Sequence, residues 1–134
     1  MANALYPKFK QALLNKEHNL DTDTIKAYLI DTADYTYNTA HDEITDVAGA
    51  SIVATSGALA NSSITNGTFD TDDFTWSTVT GDQSEGIILW NDTPTTPTAD
   101  PLIAYYDTGI TGMPVTPNGG NINCTVHSSG WFSL

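Results

Sequence analysis

The side chains best suited by type to do chemistry lie in two short acidic segments. In the first, His41, Asp42 and Glu43 are consecutive, so a base stands beside two carboxylates of the kind used in general acid–base catalysis. No nucleophile accompanies them in a recognisable elbow motif, and the sequence does not fix the directions of adjacent side chains. A solvated turn is the favoured interpretation, and we predict that the chain is not an enzyme.

The second acidic segment offers oxygen ligands. Asp70, Asp72 and Asp73 surround Thr71, and carboxylates in a turn can supply the oxygen atoms that Ca²⁺ prefers. The segment lacks the glycine and the later glutamate of an EF-hand loop. Acidic residues that cap a turn before a strand are the commoner explanation. These three residues are therefore a candidate cation site only, and we predict no cofactor.

The histidines and the cysteine do not form a recognisable transition-metal site. His18, His41 and His127 lack the spacing of metal ligands, and Cys124 is the single cysteine of the chain. A lone cysteine in an apparent strand is more often a small buried residue than a nucleophile. We therefore predict no zinc site and a buried Cys124.

Aromatic residues raise the alternative of a carbohydrate-binding surface, because exposed rings can stack on sugars. Trp76 and Trp90 lie within alternating apolar patterns, where core packing is the commoner role. Tyr105, Tyr106 and Trp131 remain as candidates for such a stacking surface. The aromatic content thus leaves a glycan-binding module open as a second function.

The charge distribution argues against several classes of partner. The formal net charge is −12, there is no arginine, and the last lysine is Lys26. Binding to nucleic acid uses Lys and Arg to displace counterions, and attachment to anionic lipid uses polybasic clusters. We therefore expect binding neither to nucleic acid nor to membranes.

The elements that must position these residues change type near residue 24. Apolar residues at Leu5, Phe9, Ala12 and Leu13 share one helical face, so residues 4–16 are predicted to form a short amphipathic helix within a leader of residues 1–23. Residues 25–30 then predict a central strand, because nearly every position is apolar. Further β-like runs separated by turn residues are predicted at residues 51–55, 58–65, 73–80, 85–90, 102–107, 121–126 and 130–134.

These runs predict a mainly β protein: an antiparallel β-sandwich of the jelly-roll kind with one short N-terminal α-helix. Residues 24–134 form a single predicted domain, in which runs 73–80 and 85–90 are expected to pair as a hairpin that supplies much of the core. Within the polar and aromatic residues 31–47, residues 41–47 are expected to hold one helical turn, and residues 91–101 are expected to form an exposed loop. The first residues lack the apolar region of a secretory signal, so we expect synthesis in the cytoplasm.

Several segments carry a resemblance to a known family. They are residues 4–14 (ALYPKFKQALL), 25–37 (IKAYLIDTADYTY), 53–59 (VATSGAL), 81–85 (GDQSE), 102–109 (LIAYYDTG) and 114–120 (PVTPNGG). Over nearly the whole chain these segments resemble a family of small tailed-bacteriophage virion proteins. The matching residues are scaffold and turn residues, which define no catalytic site. The resemblance implies a structural protein of the virion, and more specifically a capsid cement or decoration protein.

The resemblance also implies how the protein would assemble. It would form a homo-oligomer, a trimer as is common for cement proteins, bound to the major capsid protein on the outer surface of the shell. Tyr6 and Phe9 are expected to be exposed on the leader and to bury against the shell, while Lys8 and Lys10 pair with acidic residues of the shell. The alternative is that the leader helix packs on its own sandwich. A receptor- or glycan-binding module of a head or tail fibre is the second functional hypothesis.

Overall fold

Antiparallel β-strands dominate the computed structural model, which describes residues 3–94, 96 and 98–134. The predicted mainly β fold with one N-terminal helix is confirmed. The predicted loop at 91–101 falls partly outside the described residues, since it includes positions 95 and 97. In chain order the elements are β1 (Ala4–Leu5), α1 (Pro7–Leu14), β2 (Ile25–Ile30), β3 (Ile52–Thr55), β4 (Ser63–Thr65), β5 (Thr68–Asp70), β6 (Phe74–Trp76), β7 (Gly86–Asn91), β8 (Leu102–Tyr106), β9 (Ile122–Cys124) and β10 (Phe132–Ser133).

The main sheet has five strands in the order β1-β8-β7-β2-β3, and every neighbouring pair is antiparallel. Strand β2 lies between β7 and β3, so the predicted central position of residues 25–30 is confirmed. All residues of β7 are buried, because both faces of the sheet are covered. This explains why the sequence of β7 is almost continuously apolar rather than alternating.

Two smaller sheets and α1 cover one face of the main sheet. The indole Nε1 of Trp76 in β6 donates to the carbonyl oxygen of Ala27 in β2 at 3.2 Å, which places β6 over the centre of the sheet. The second small sheet has the order β10-β5-β4, and Phe132 of β10 packs against Phe69 of β5 and Phe9 of α1. Trp76 and Trp90 are both buried, as predicted.

The expected hairpin between runs 73–80 and 85–90 is wrong. Strand β6 pairs with β9, and β7 pairs with β2 and β8. The alternation of apolar residues identified both strands correctly, but alternation says which face is buried and not which strand lies alongside. Strand β5 was not predicted, because its two-residue connection to β4 at Asn66 and Gly67 was interpreted as the end of a strand.

Residues 31–47 cover the other face of the main sheet. They include a short 3₁₀ turn at Ile44–Asp46, which agrees with the predicted helical turn. Glu43 forms an isolated bridge to Pro101, and Tyr35 packs against Tyr105 of β8 with ring centroids 5.9 Å apart. Both layers therefore contribute to a single continuous core.

The leader is integrated into this fold. Strand β1 pairs with β8, where Ala4 lies opposite Tyr105 and Leu5 opposite Ala104. Helix α1 begins at Pro7, whose missing N–H costs nothing in the first turn. The expectation that Tyr6 and Phe9 are exposed is wrong, since both side chains are buried in the core of their own chain.

Candidate functional site

Tyr6 belongs to a buried cluster of tyrosines between the main sheet and residues 31–47. Its hydroxyl group lies 2.7 Å from that of Tyr35, which in turn lies 2.8 Å from Nδ1 of His41. The ring of Tyr6 also packs against Tyr37, with centroids 5.0 Å apart. Burial raises the pKa of the Tyr6 hydroxyl, and the hydrogen bond to Tyr35 raises it further. Tyr6 thus holds the leader to the domain.

Phe9 anchors α1 to the opposite face. Its side chain is 1% exposed and makes edge contacts with Phe132 and His18, at centroid distances of 5.8 and 5.1 Å. The leader helix does have the predicted apolar side, but this side packs against the core of its own domain. Tyr6 and Phe9 therefore agree with the alternative stated for the leader, in which the helix packs on its own sandwich.

The other face of α1 remains in solvent. Lys8 and Lys10 are exposed, and Leu14 at the last helical position is 85% exposed. The following Lys16 is exposed as well. Lys10 lies one turn before Leu14 on the same side of the helix, Lys8 lies on another side, and Lys16 follows the end of the helix. We call these four exposed residues the helix face (Lys8, Lys10, Leu14 and Lys16).

The three carboxylates of the candidate cation site have separate partners. Asp70 Oδ1 accepts from the N–H of Thr71 at 2.9 Å, and Asp73 Oδ1 accepts from the N–H of Val126 at 2.7 Å. Asp72 Oδ2 accepts from the amide of a side chain, Asn61 Nδ2, at 2.6 Å. In the described residues these carboxylates cap loops and connect β5 and β6 to their neighbours.

A different acidic group does come together in space. One carboxylate oxygen each from Asp31, Asp34 and Asp82 lies within 4.8 Å of the other two. Asp31 is buried and its Oδ1 accepts from the N–H of Ala33 at 2.8 Å, whereas Asp34 and Asp82 are exposed. These oxygens are of the type that Ca²⁺ takes. The sequence offered no signal for this group, because Asp82 comes from a distant loop.

The segment around His41 is occupied by structural hydrogen bonds. His41 contacts Tyr35, and the carboxylate of Asp46 accepts from the N–H groups of Asp42 and Glu43 at 2.7 and 3.1 Å. These backbone hydrogen bonds lower the pKa of Asp46, with the bond from Asp42 the larger cause. The predicted turn is thus a 3₁₀ turn held by its own carboxylates.

A buried polar network at the end of β7 was not predicted. The Asn91 side chain is fully buried, and its Nδ2 lies 2.9 Å from Nδ1 of His18 and 2.7 Å from Oδ2 of Asp23. Asp23 Oδ2 also accepts from the N–H of Asn19 at 2.8 Å. Burial lowers the pKa of His18, although Asp23 acts in the opposite direction. The network ties residues 18–23 to the main sheet through the side chains of His18 and Asp23.

An open aromatic cavity of about 290 Å³ lies between the end of β8 and the segment before β10. Trp131 and Tyr106 line it with ring centroids 5.5 Å apart, and Cys124 and His127 complete one side. Two of the three predicted stacking residues are thus together, whereas Tyr105 points to the opposite face of the sheet, into the tyrosine cluster. Burial raises the pKa of the Cys124 thiol to about 12.

A second depression, an apolar groove of about 190 Å³, lies between the end of α1 and the β10-β5-β4 sheet. Ile64 and Leu134 line it and are 52% and 72% exposed. The buried ring of Phe69 and the partly buried ring of Phe132 form its floor. We call this surface the β4 groove.

Comparison with known proteins adds no family to these observations. No protein-family model matches the sequence, and no curated protein matches it significantly. Within the described residues no helix has both the length and the apolar character needed to cross a membrane.

Proposed function

We propose that this chain is a structural protein of a tailed-bacteriophage virion, a cement protein that binds the outside of the capsid shell. The sequence segments that resemble phage virion proteins include those that form β2, β3 and β8 of the main sheet. The observation that supports attachment to a shell is the helix face. It offers an acidic partner the exposed lysines that the chain lacks after Lys26, together with Leu14, which is 85% exposed, on a chain of net charge −12.

This proposal revises which residues of the leader would meet the major capsid protein. Tyr6 and Phe9 hold the helix in place, while Lys8, Lys10 and Leu14 are the residues available to a partner. Lysines at the rim of an interface mainly raise the association rate with an acidic partner, and a buried apolar side chain supplies affinity. The acidic remainder of the chain would face outward.

Binding to isolated capsid shells of the phage tests the proposal. The purified protein should co-sediment with shells saturably, and Leu14→Asp should weaken binding by at least about tenfold. Thr80→Asp is a matched control, because it adds the same charge at an exposed position away from the helix. Absence of saturable binding, or equal loss in both variants, would contradict the proposal. The mass of the free protein tests the trimer expected from the family.

A glycan- or receptor-binding module of a fibre is the second candidate function. The aromatic cavity favours it, because Trp131 and Tyr106 are adjacent and the cavity is open to solvent. Binding of the isolated protein to a glycan array, lost in Trp131→Ala, would support this role over shell attachment. Absence of binding to any glycan would count against it.

A further inference from the structure

The edge strand β4 has an uncovered side. In the described part of the chain it is the last strand of the β10-β5-β4 sheet, and Ser63, Ile64 and Thr65 are all exposed. An exposed edge presents backbone groups that can pair with another strand. Natural proteins protect such edges with charges, proline, bulges or a short strand; β4 is three residues long and contains neither a charged residue nor a proline.

The strand register shows which backbone groups of β4 are available to pair with another strand. Thr65 lies opposite Thr68 across the two-residue turn, and Ile64 lies opposite Phe69. In such a hairpin the pair beside the turn exchanges both hydrogen bonds and the next pair exchanges none. The N–H and C=O of Ile64 therefore point away from β5. The backbone carbonyl of Phe69 likewise points away from β4, because its oxygen accepts from the N–H of Trp131, next to β10, at 2.8 Å.

The side chain of Ile64 adds an apolar contact to this edge. It shares a face with its cross-strand partner Phe69 and lines the β4 groove together with Phe132 and Leu134. Ile64 and Leu134 are two of the large hydrophobic side chains that are exposed in the described residues. A strand added beside β4 would cover Ile64 and extend the wall of the groove.

Charge identifies what can occupy this edge. Residues 47–69 and 128–134 contain no ionisable side chain, although the whole chain carries a net charge of −12. Two copies of so acidic a chain repel each other, so they approach most readily where acidic side chains are few; β4 itself carries none, and Asp70 on the neighbouring β5 lies opposite Ser63. A basic partner, by contrast, would be attracted to the acidic segments elsewhere. A second copy of this chain is therefore the occupant that fits.

We propose that two copies pair through β4 in antiparallel orientation, around a two-fold axis at Ile64. The two Ile64 residues would exchange both of their outward N–H and C=O groups, and two three-stranded sheets would join into one of six strands. Each Ile64 side chain would lie against its symmetry mate at the mouth of the β4 groove. The pairing is independent of a role in the virion, and it differs from a trimer, which requires a head-to-tail contact.

The mass of the purified protein in solution, measured by light scattering over a wide concentration range, tests the pairing. The full chain should approach twice its 14.3 kDa mass as concentration rises. Ile64→Lys places two like charges across the axis and should weaken the dimer by at least about tenfold. Ile64→Pro should also weaken it, because it removes the outward N–H without removing a bond between β4 and β5. Thr55→Lys on the edge strand β3 is the matched control and should leave the dimer intact.

Three results would overturn this inference. The first is a wild-type protein that stays monomeric at every concentration, and the second is a trimer. The third is a dimer that persists equally in Ile64→Lys and Ile64→Pro. Thermal melting of each variant verifies that a lower mass reflects dissociation of folded chains.

Discussion

Replacement of Phe9 by alanine tests whether the leader is part of the folded core. Phe9 is 1% exposed and packs against Phe132 and His18, so the substitution removes a buried ring and leaves a cavity between α1 and β10. Truncation of a buried phenylalanine to alanine typically costs about 3–5 kcal/mol of unfolding free energy. That is a large fraction of the roughly 5–15 kcal/mol by which native domains are stable.

Urea denaturation followed by tryptophan fluorescence measures this loss. Small proteins lose about 1–3 kcal/mol of stability per molar urea, so the midpoint of Phe9→Ala should fall by at least about 1 M. Lys10→Ala is the matched control on the same helix, because its exposed side chain should change stability by less than about 0.5 kcal/mol. Equal midpoints for the two variants would refute the packing of the leader against the domain.

Three further predictions concern other parts of the fold. Because burial lowers the pKa of His18, the unfolded chain binds its proton first, and stability should fall as pH drops below about 6.5, by at most about 1.4 kcal/mol per pH unit. The melting temperature should differ less between pH 7.5 and pH 5.5 in His18→Gln than in the wild type, and an equal difference in the two proteins would contradict a lowered pKa of His18. Gly130→Ala should destabilise by about 2–4 kcal/mol in urea denaturation, because at φ +78° its Cβ would lie 2.6 Å from the carbonyl oxygen of Phe69. Gly109→Ala, with φ +71° and open space, should cost only about 1 kcal/mol, and equal costs would count against the close approach. Burial raises the pKa of the Cys124 thiol to about 12, so alkylation at pH 8 should be more than about 100-fold slower in the native protein than in urea, and similar rates would exclude a buried thiol.

The strands with long apolar runs could be predicted from the sequence, whereas their partners could not. Residues 25–30 and 102–107 agree with β2 and β8 to within one residue, because strands buried on both faces have a strong apolar signal. The pairing of β6 with β9 joins positions as far apart as Thr75 and Asn123, which lie 48 residues apart in sequence. Such contacts depend on the whole topology, and local periodicity carries no information about them.

The site residues show the same limit. The apolar stripe of the leader was identified correctly, but an amphipathic pattern shows which face is apolar and not whether its own domain or a partner covers it. That is why Tyr6 and Phe9 were expected on the surface. The His18, Asn91 and Asp23 network had no signal either, because Asn91 lies 73 positions from His18 and looked like the start of a loop. Buried polar networks are specified by three-dimensional proximity alone.

The number of copies of this chain in purified phage particles tests the central proposal most directly. Quantitative mass spectrometry against the major capsid protein measures that number. A cement protein should be present in hundreds of copies per particle, in a fixed ratio to the shell protein. A few copies would indicate a tail or fibre component instead, and absence from the particles would contradict a structural role in the virion.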